Sequence, residues 1–168
     1  MQRRTLLKLG GVSAAILVVA GGALALLQPG LRGGVLSAAG REVFAAVGRA
    51  ILDKSLPADE GARQLALNAL LSRIDTLVQA LAPHAQGELS QLLALLTSAA
   101  GRRSLAGLGP SWPDASVADI QQALQTMRLS TLALRQQAYA ALHDITAGAY
   151  FSDASSWPLL GYPGPRKI

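Results

Sequence analysis

Residues 59–83 read DEGARQLALNALLSRIDTLVQALAP, and within them Leu67, Leu70, Leu71, Ile74, Leu77, Val78 and Leu81 recur three and four residues apart. A turn of α-helix takes 3.6 residues, so this spacing gathers all seven side chains into one stripe. Asp59 and Glu60 stand where the free N–H groups of a helix start favour negative charge. Pro83 lacks the N–H that a continuing helix would need, so the helix is expected to end before it. Such a stripe must be covered, and outward from it the chain offers only further helices.

Downstream, a helix from about Glu88 to Ala99 carries Leu89, Leu92, Leu93, Leu95 and Leu96 and stops before Gly101. Its leucines cover more than one face, which places it at the centre of the bundle by expectation. Ser111-Trp112-Pro113 reads as a loop opening into Ser116-Val117-Ala118-Asp119, a capping box with Asp in place of Glu. From there one long helix is expected to about Ala147, because Val117, Ile120, Leu124, Met127, Leu134, Ala138, Leu142 and Ile145 keep helical intervals with no proline or glycine between them. Upstream, Val43, Val47, Ala50 and Ile51 mark a short helix from about Glu42 to Leu52, stopped by Ser55-Leu56-Pro57. Strand-like alternation of useful length is missing throughout, which excludes a parallel sheet and a Rossmann cofactor site. The expected fold class is all-α: a small helical bundle with an N-terminal signal or anchor helix and an irregular C-terminal tail rich in aromatics, proline and glycine. The expected division is 1–27 leader or anchor, 28–34 linker (the breakers Gln28-Pro29-Gly30 and Arg32-Gly33-Gly34), 35–148 bundle and 149–168 tail.

The first eight residues resemble a twin-arginine export signal, with Arg3, Arg4, Leu6, Leu7 and Lys8 matching the pattern and Gln2 in place of its usual Ser or Thr. The uncharged run that follows is lightened by Gly10, Gly11, Gly21 and Gly22. Ala23-Leu24-Ala25 has the small-x-small form of a peptidase site, yet Leu26 and Leu27 carry the apolar run past it. Leu9 to Leu27 as a helix would be roughly 28 Å long, just enough to span a bilayer core, so an anchor retained in the inner membrane is the alternative to a cleaved leader. Either way the expected location is the periplasm. The leader also accounts for the charge. Of the net +5, Arg3, Arg4, Lys8 and Arg32 supply four positives before residue 34, with no acid among them, and from residue 34 onward 11 bases face 10 acids. A nucleic-acid partner is therefore not expected.

Chemistry is harder to find. The chain has no cysteine, which removes disulfides, thiolate nucleophiles, iron–sulfur clusters and covalently attached c-type haem. His84 follows Pro83 in what reads as an interhelical loop, and His143 sits beside Asp144 on the last helix, without HxxxH or HExxH spacing. No serine lies in a Gly-x-Ser-x-Gly elbow. Leu105-Ala106-Gly107-Leu108-Gly109-Pro110 has neither the lysine nor the preceding strand of a phosphate loop, and Arg102-Arg103 reads as a solvated helix end. No catalytic, metal or cofactor-binding residue is expected in this chain, and it is read as a non-enzyme.

Four of the seven aromatic residues fall between Tyr150 and Tyr162, in the run Tyr150-Phe151-Ser152-Asp153-Ala154-Ser155-Ser156-Trp157-Pro158-Leu159-Leu160-Gly161-Tyr162-Pro163-Gly164-Pro165. It is too apolar for a disordered tail and too irregular for another helix. Proline pre-orders its backbone, so little entropy is lost when the rings are buried. Two uses stand open: the tail packs over its own bundle, or its aromatics anchor a partner. In the second case the partner-binding residues are Tyr150, Phe151, Trp157, Pro158, Gly161, Tyr162, Pro163 and Gly164.

With its twin-arginine leader and a tail of the form YF-S-D-x-x-x-W-x-x-x-GYPGP, the chain resembles the gluconate 2-dehydrogenase subunit 3 family. Leu52 through Pro57-Ala58-Asp59 also looks like that family's Leu-x-Pro-x-Asp turn, and Leu142-His143-Asp144 leads into the tail. These are small subunits of FAD-dependent glucose-methanol-choline (GMC) oxidoreductases. The resemblance implies a non-catalytic subunit that binds a flavoprotein lacking its own signal, carries it through the twin-arginine translocon and stabilises it in the periplasm, as a chaperone would. FAD would then sit in the partner, and electrons would pass on to a cytochrome c subunit or a quinone. The residues leave a second reading beside it, a membrane-anchored helical scaffold or lipid-binding protein that acts alone.

Overall fold

A computed structural model of the chain describes residues 28–164, the side chains of Leu159 and Leu160 excepted. Its elements in order are β1 (Leu31–Arg32), β2 (Val35–Leu36), α1 (Ala38–Ile51), α2 (Glu60–Gln79), α3 (Pro83–Thr97), the single turn α4 (Ala99–Gly101) with a π-helical turn Arg102–Ala106, α5 (Val117–Arg128), α6 (Ala133–Phe151) and a 3-10 turn Ala154–Leu160. The expected class holds: this is a small all-α bundle with one two-stranded antiparallel pair.

The helix at its centre is α1, and not α3 as the spread of leucines suggests. Along α1, Gly40, Val43, Phe44, Ala46, Val47, Gly48 and Ala50 are all buried, and the helix packs against α2, α3, α5 and α6. The physical reason is size. Small residues let neighbouring helices close in: a Cβ on Gly48 would lie 2.8 Å from Leu70 Cδ2 of α2. The leucines of α3 cover α1 from one side, with Leu93 and Leu96 fully enclosed. Capped by Ser37, α1 starts at Ala38, four residues ahead of Glu42, with the Ser37 hydroxyl accepting from Gly40 N (3.2 Å).

Two boundaries move for identifiable reasons. Pro83 starts α3 instead of marking a gap, because its fixed φ suits the first helical position and its missing N–H is not needed there. His84 accordingly lies in the first turn of α3 and not in a loop. The long helix expected over 117–147 is two helices, interrupted at residues 129–132. There Ser130 Oγ accepts from Leu132 N (3.1 Å) and the Ser130 carbonyl takes Gln136 Nε2 (2.7 Å), a local turn that competes with the helical ladder. The start of α5 is as read, with Ser116 and Asp119 forming a reciprocal capping box.

Residues 28–34, read as a linker, carry β1 and dock on the bundle. Gly33 and Gly34 make the hairpin turn at φ +59° and +80°. Gly30 N donates to the Ser90 carbonyl (3.2 Å) and Leu31 N to Ser90 Oγ (3.1 Å) on α3. Leu36 N donates to Asp75 Oδ1 (2.8 Å) on α2, whose other oxygen pairs with Arg41 (2.5 Å). Among the described residues, no helix is long and apolar enough to cross a membrane.

Candidate functional site

The aromatic tail is where sequence and geometry both concentrate, and it divides in two. Its first part belongs to α6, which runs on through Tyr150 and Phe151 to a C-cap at Ser152. Tyr150 is buried, 7% exposed, and its hydroxyl donates to the Ser55 carbonyl (2.8 Å) in the loop between α1 and α2. Burial holds this phenol above its ordinary value of 10.0, against the opposing pull of the Arg73 charge. Phe151 meets Tyr150 edge to face (5.1 Å) and is half-buried. Tyr150 thus serves the bundle's own interior.

The second part, expected to be irregular, is a 3-10 turn with its own caps. Asp153 begins it, accepting from Ser155 N (2.9 Å), and Gly161 ends it in the left-handed region at φ +66°. Trp157 Nε1 donates to the Phe151 carbonyl (3.1 Å), which folds the indole back over the end of α6. Tyr162 N then donates to the Trp157 carbonyl (3.1 Å), bringing the two rings together edge to face at 5.3 Å. Gly164 lies beneath the indole, where a Cβ would be 3.5 Å from the ring. The outcome is a shallow apolar cleft lined by Ala154, Trp157, Pro158, Gly161, Tyr162 and Pro163. Pro158, Gly161 and Pro163 are exposed, Tyr162 is 48% exposed and Trp157 is half-buried.

Arg73 of α2 fastens this assembly, a role that the helical pattern around it does not announce. Its Nε donates to the Ala149 carbonyl (2.9 Å) and its Nη1 to Asp153 Oδ2 (2.7 Å). The guanidinium therefore joins the last carbonyls of α6, where a positive charge is favoured, to the first residue of the 3-10 turn. The Asp153 carboxyl is held below its ordinary value of 3.8, first by the Ser155 N–H and Ser155 side chain and then by the Arg73 charge. One sequence signal existed: Arg73 adjoins Ile74 at the edge of the α2 stripe, where an arginine can reach a neighbouring helix.

The turn that resembles the Leu-x-Pro-x-Asp motif lies at the other end of the Tyr150 hydrogen bond. Asp59 caps α2 by accepting from Ala62 N (2.8 Å), and Arg63 donates to the Pro57 and Ala58 carbonyls (3.1 and 2.9 Å). The α1–α2 loop and the end of α6 are thus joined through Ser55 and Tyr150. The export-motif residues Arg3, Arg4, Leu6, Leu7 and Lys8 lie outside the described residues, as does Pro165.

Elsewhere the geometry offers little reactive chemistry. His84 and His143 stand on different helices; His143 Nδ1 is 2.9 Å from Asp144 Oδ1, and its ring stacks on Tyr139 at 5.4 Å. Among the described residues, no three His, Asp or Glu side chains gather as a metal site would require. A second shallow cleft, between Ala106–Pro110 and α5, has Asp119 as its one ionisable side chain, and that carboxylate is occupied by the Ser116 hydroxyl (2.7 Å). Arg102 is half-buried, with Nη2 reaching the Gly109 carbonyl (3.3 Å), so only Arg103 of the pair reads as a solvated helix end. Comparison of the chain with protein-family profiles, characterised proteins and solved structures finds no match to any of them.

Proposed function

We propose that this chain is a non-catalytic small subunit that binds a FAD-dependent GMC-type dehydrogenase, takes it through the twin-arginine pathway and stabilises it in the periplasm. The observation that carries the reading is the Trp157–Tyr162 cleft: two rings, two prolines and a glycine held on the surface of a bundle by their own hydrogen bonds. Rigid aromatic side chains with exposed faces are what protein interfaces use as anchors, since little conformational freedom remains to be lost on docking. The leader supplies the second support, because an address for folded cargo suits a protein that leaves the cytoplasm with something attached. If the leader is retained, only two residues separate Leu27 from the hydrogen-bonded Gly30, about 10 Å of extended chain, and the bundle sits against the inner membrane.

The test is export of the partner. Replacing Arg3 and Arg4 together by lysine should strand a GMC-type flavoprotein that lacks its own leader in the cytoplasm, read as flavin-dependent dehydrogenase activity in fractionated cells. A flavoprotein that still reaches the periplasm in that strain ends the escort reading.

A further inference from the structure

The 3-10 turn and its rings have a weak hold on the rest of the molecule. Among the described residues, the hydrogen bonds of residues 152–164 stay within 148–164, with one exception, the pair between Asp153 and Arg73. The turn packs chiefly on α6, the helix it leaves. Among the described residues, Arg73 is therefore the one side chain of another element that hydrogen-bonds the tail turn, and its two donors span the junction between the Ala149 carbonyl and the Asp153 carboxylate. Both partners of the ion pair are about one-third exposed (28% and 34%), so its worth to global stability is small.

We infer that Arg73 is a positioning residue for docking: it holds the Trp157–Tyr162 cleft in its binding geometry before a partner arrives. This rests on the escort reading for the identity of the partner. It does not rest on that reading for the ordering itself. A planar guanidinium suits the task because its donors diverge at fixed angles toward a carbonyl and a carboxylate at once. Lysine would keep the charge beside Asp153 and give up the pair of donors on separate nitrogens at a fixed angle.

The experiment uses the full chain in two arms. In the first, hydrogen exchange of the free protein is compared for wild type and Arg73→Gln. Amides of residues 153–164 should exchange at least about tenfold faster in the variant, while those of α1 and α5 keep their protection and show that the bundle is folded. In the second, each protein is co-expressed with a GMC-type flavoprotein that lacks a leader, and complex affinity is measured. Arg73→Gln should weaken capture roughly ten- to a hundredfold, with Arg73→Lys intermediate and Trp157→Ala at least as weak as Arg73→Gln. Unchanged exchange in 153–164 overturns the positioning role, as does faster exchange with undiminished capture. A wild-type chain that captures no flavoprotein defeats the escort reading instead, and the first arm still decides whether Arg73 orders the tail.

Discussion

At the scale of single residues, two aromatic side chains with a polar tip join distant parts of the chain. Trp112 is 2% exposed, and its Nε1 donates to the Leu96 carbonyl (2.8 Å), satisfying a carbonyl in the last turn of α3 from a loop sixteen residues on. Tyr150 does the same between α6 and the α1–α2 loop. Removing that hydroxyl leaves the Ser55 carbonyl without its donor and keeps the ring in place. Tyr150→Phe should therefore cost about 1 kcal/mol, seen as a fall of about 3 °C in the thermal midpoint. An unchanged midpoint would mean that water serves the Ser55 carbonyl equally well. Nothing in the linear pattern distinguishes Tyr150 from Tyr162, although one is buried and the other exposed. The difference follows from position: Tyr150 falls on the inner face of α6 with Ala138, Leu142, Thr146 and Ala149, and Tyr162 comes after the chain has left that face.

Among elements, the break between α5 and α6 shows what periodicity conceals. Met127 and Ala138 are both buried and eleven residues apart, about three helical turns, so the apolar stripe keeps its phase across the interruption. A continuous helix and a broken one predict the same spacing there. The deciding signal is Ser130-Thr131, a hydroxyl pair with an alternative hydrogen bond to offer, flanked by Leu129 and Leu132 at 68% and 59% exposure. The hairpin after residue 28 depends on backbone proximity instead. Gly40 lies so close to it that a Cβ would come within 2.6 Å of the Gly30 carbonyl oxygen, the same oxygen that accepts from Ser37 N. Alanine in a helix ordinarily gains up to about 1 kcal/mol over glycine, but forcing an atom against backbone costs about 1–3 kcal/mol, and the obstacle here is not a side chain that can swing away. Gly40→Ala should therefore destabilise the protein and raise hydrogen exchange across residues 30–37, leaving α5 and α6 protected. A variant more stable than wild type would show that the hairpin shifts freely.

For the molecule as a whole, stability has a pH window set at each end by a different group. Asp153 has its carboxyl below the ordinary value in the folded state, so its contribution is complete above 3.8 and is lost as pH falls through the lower folded value. Tyr150 has its phenol raised, so its contribution is complete below 10.0 and is lost as pH climbs through the higher folded value. The difference in thermal midpoint between wild type and Asp153→Asn should be constant at neutral pH and close below pH 3.8. A gap that persists unchanged into stronger acid would remove the carboxylate charge from the explanation. By itself the sequence determined the helical class, the α2 stripe, the α5 capping box and the aromatic cluster, because each depends on residues within a few turns of one another. Only the tertiary structure decided that α1 is central, that the long helix is broken, that the presumed linker docks, and that Arg73 meets Asp153 across eighty positions. Those outcomes depend on which surfaces approach closely enough to exclude or admit a side chain, a property of three-dimensional packing that local spacing does not carry.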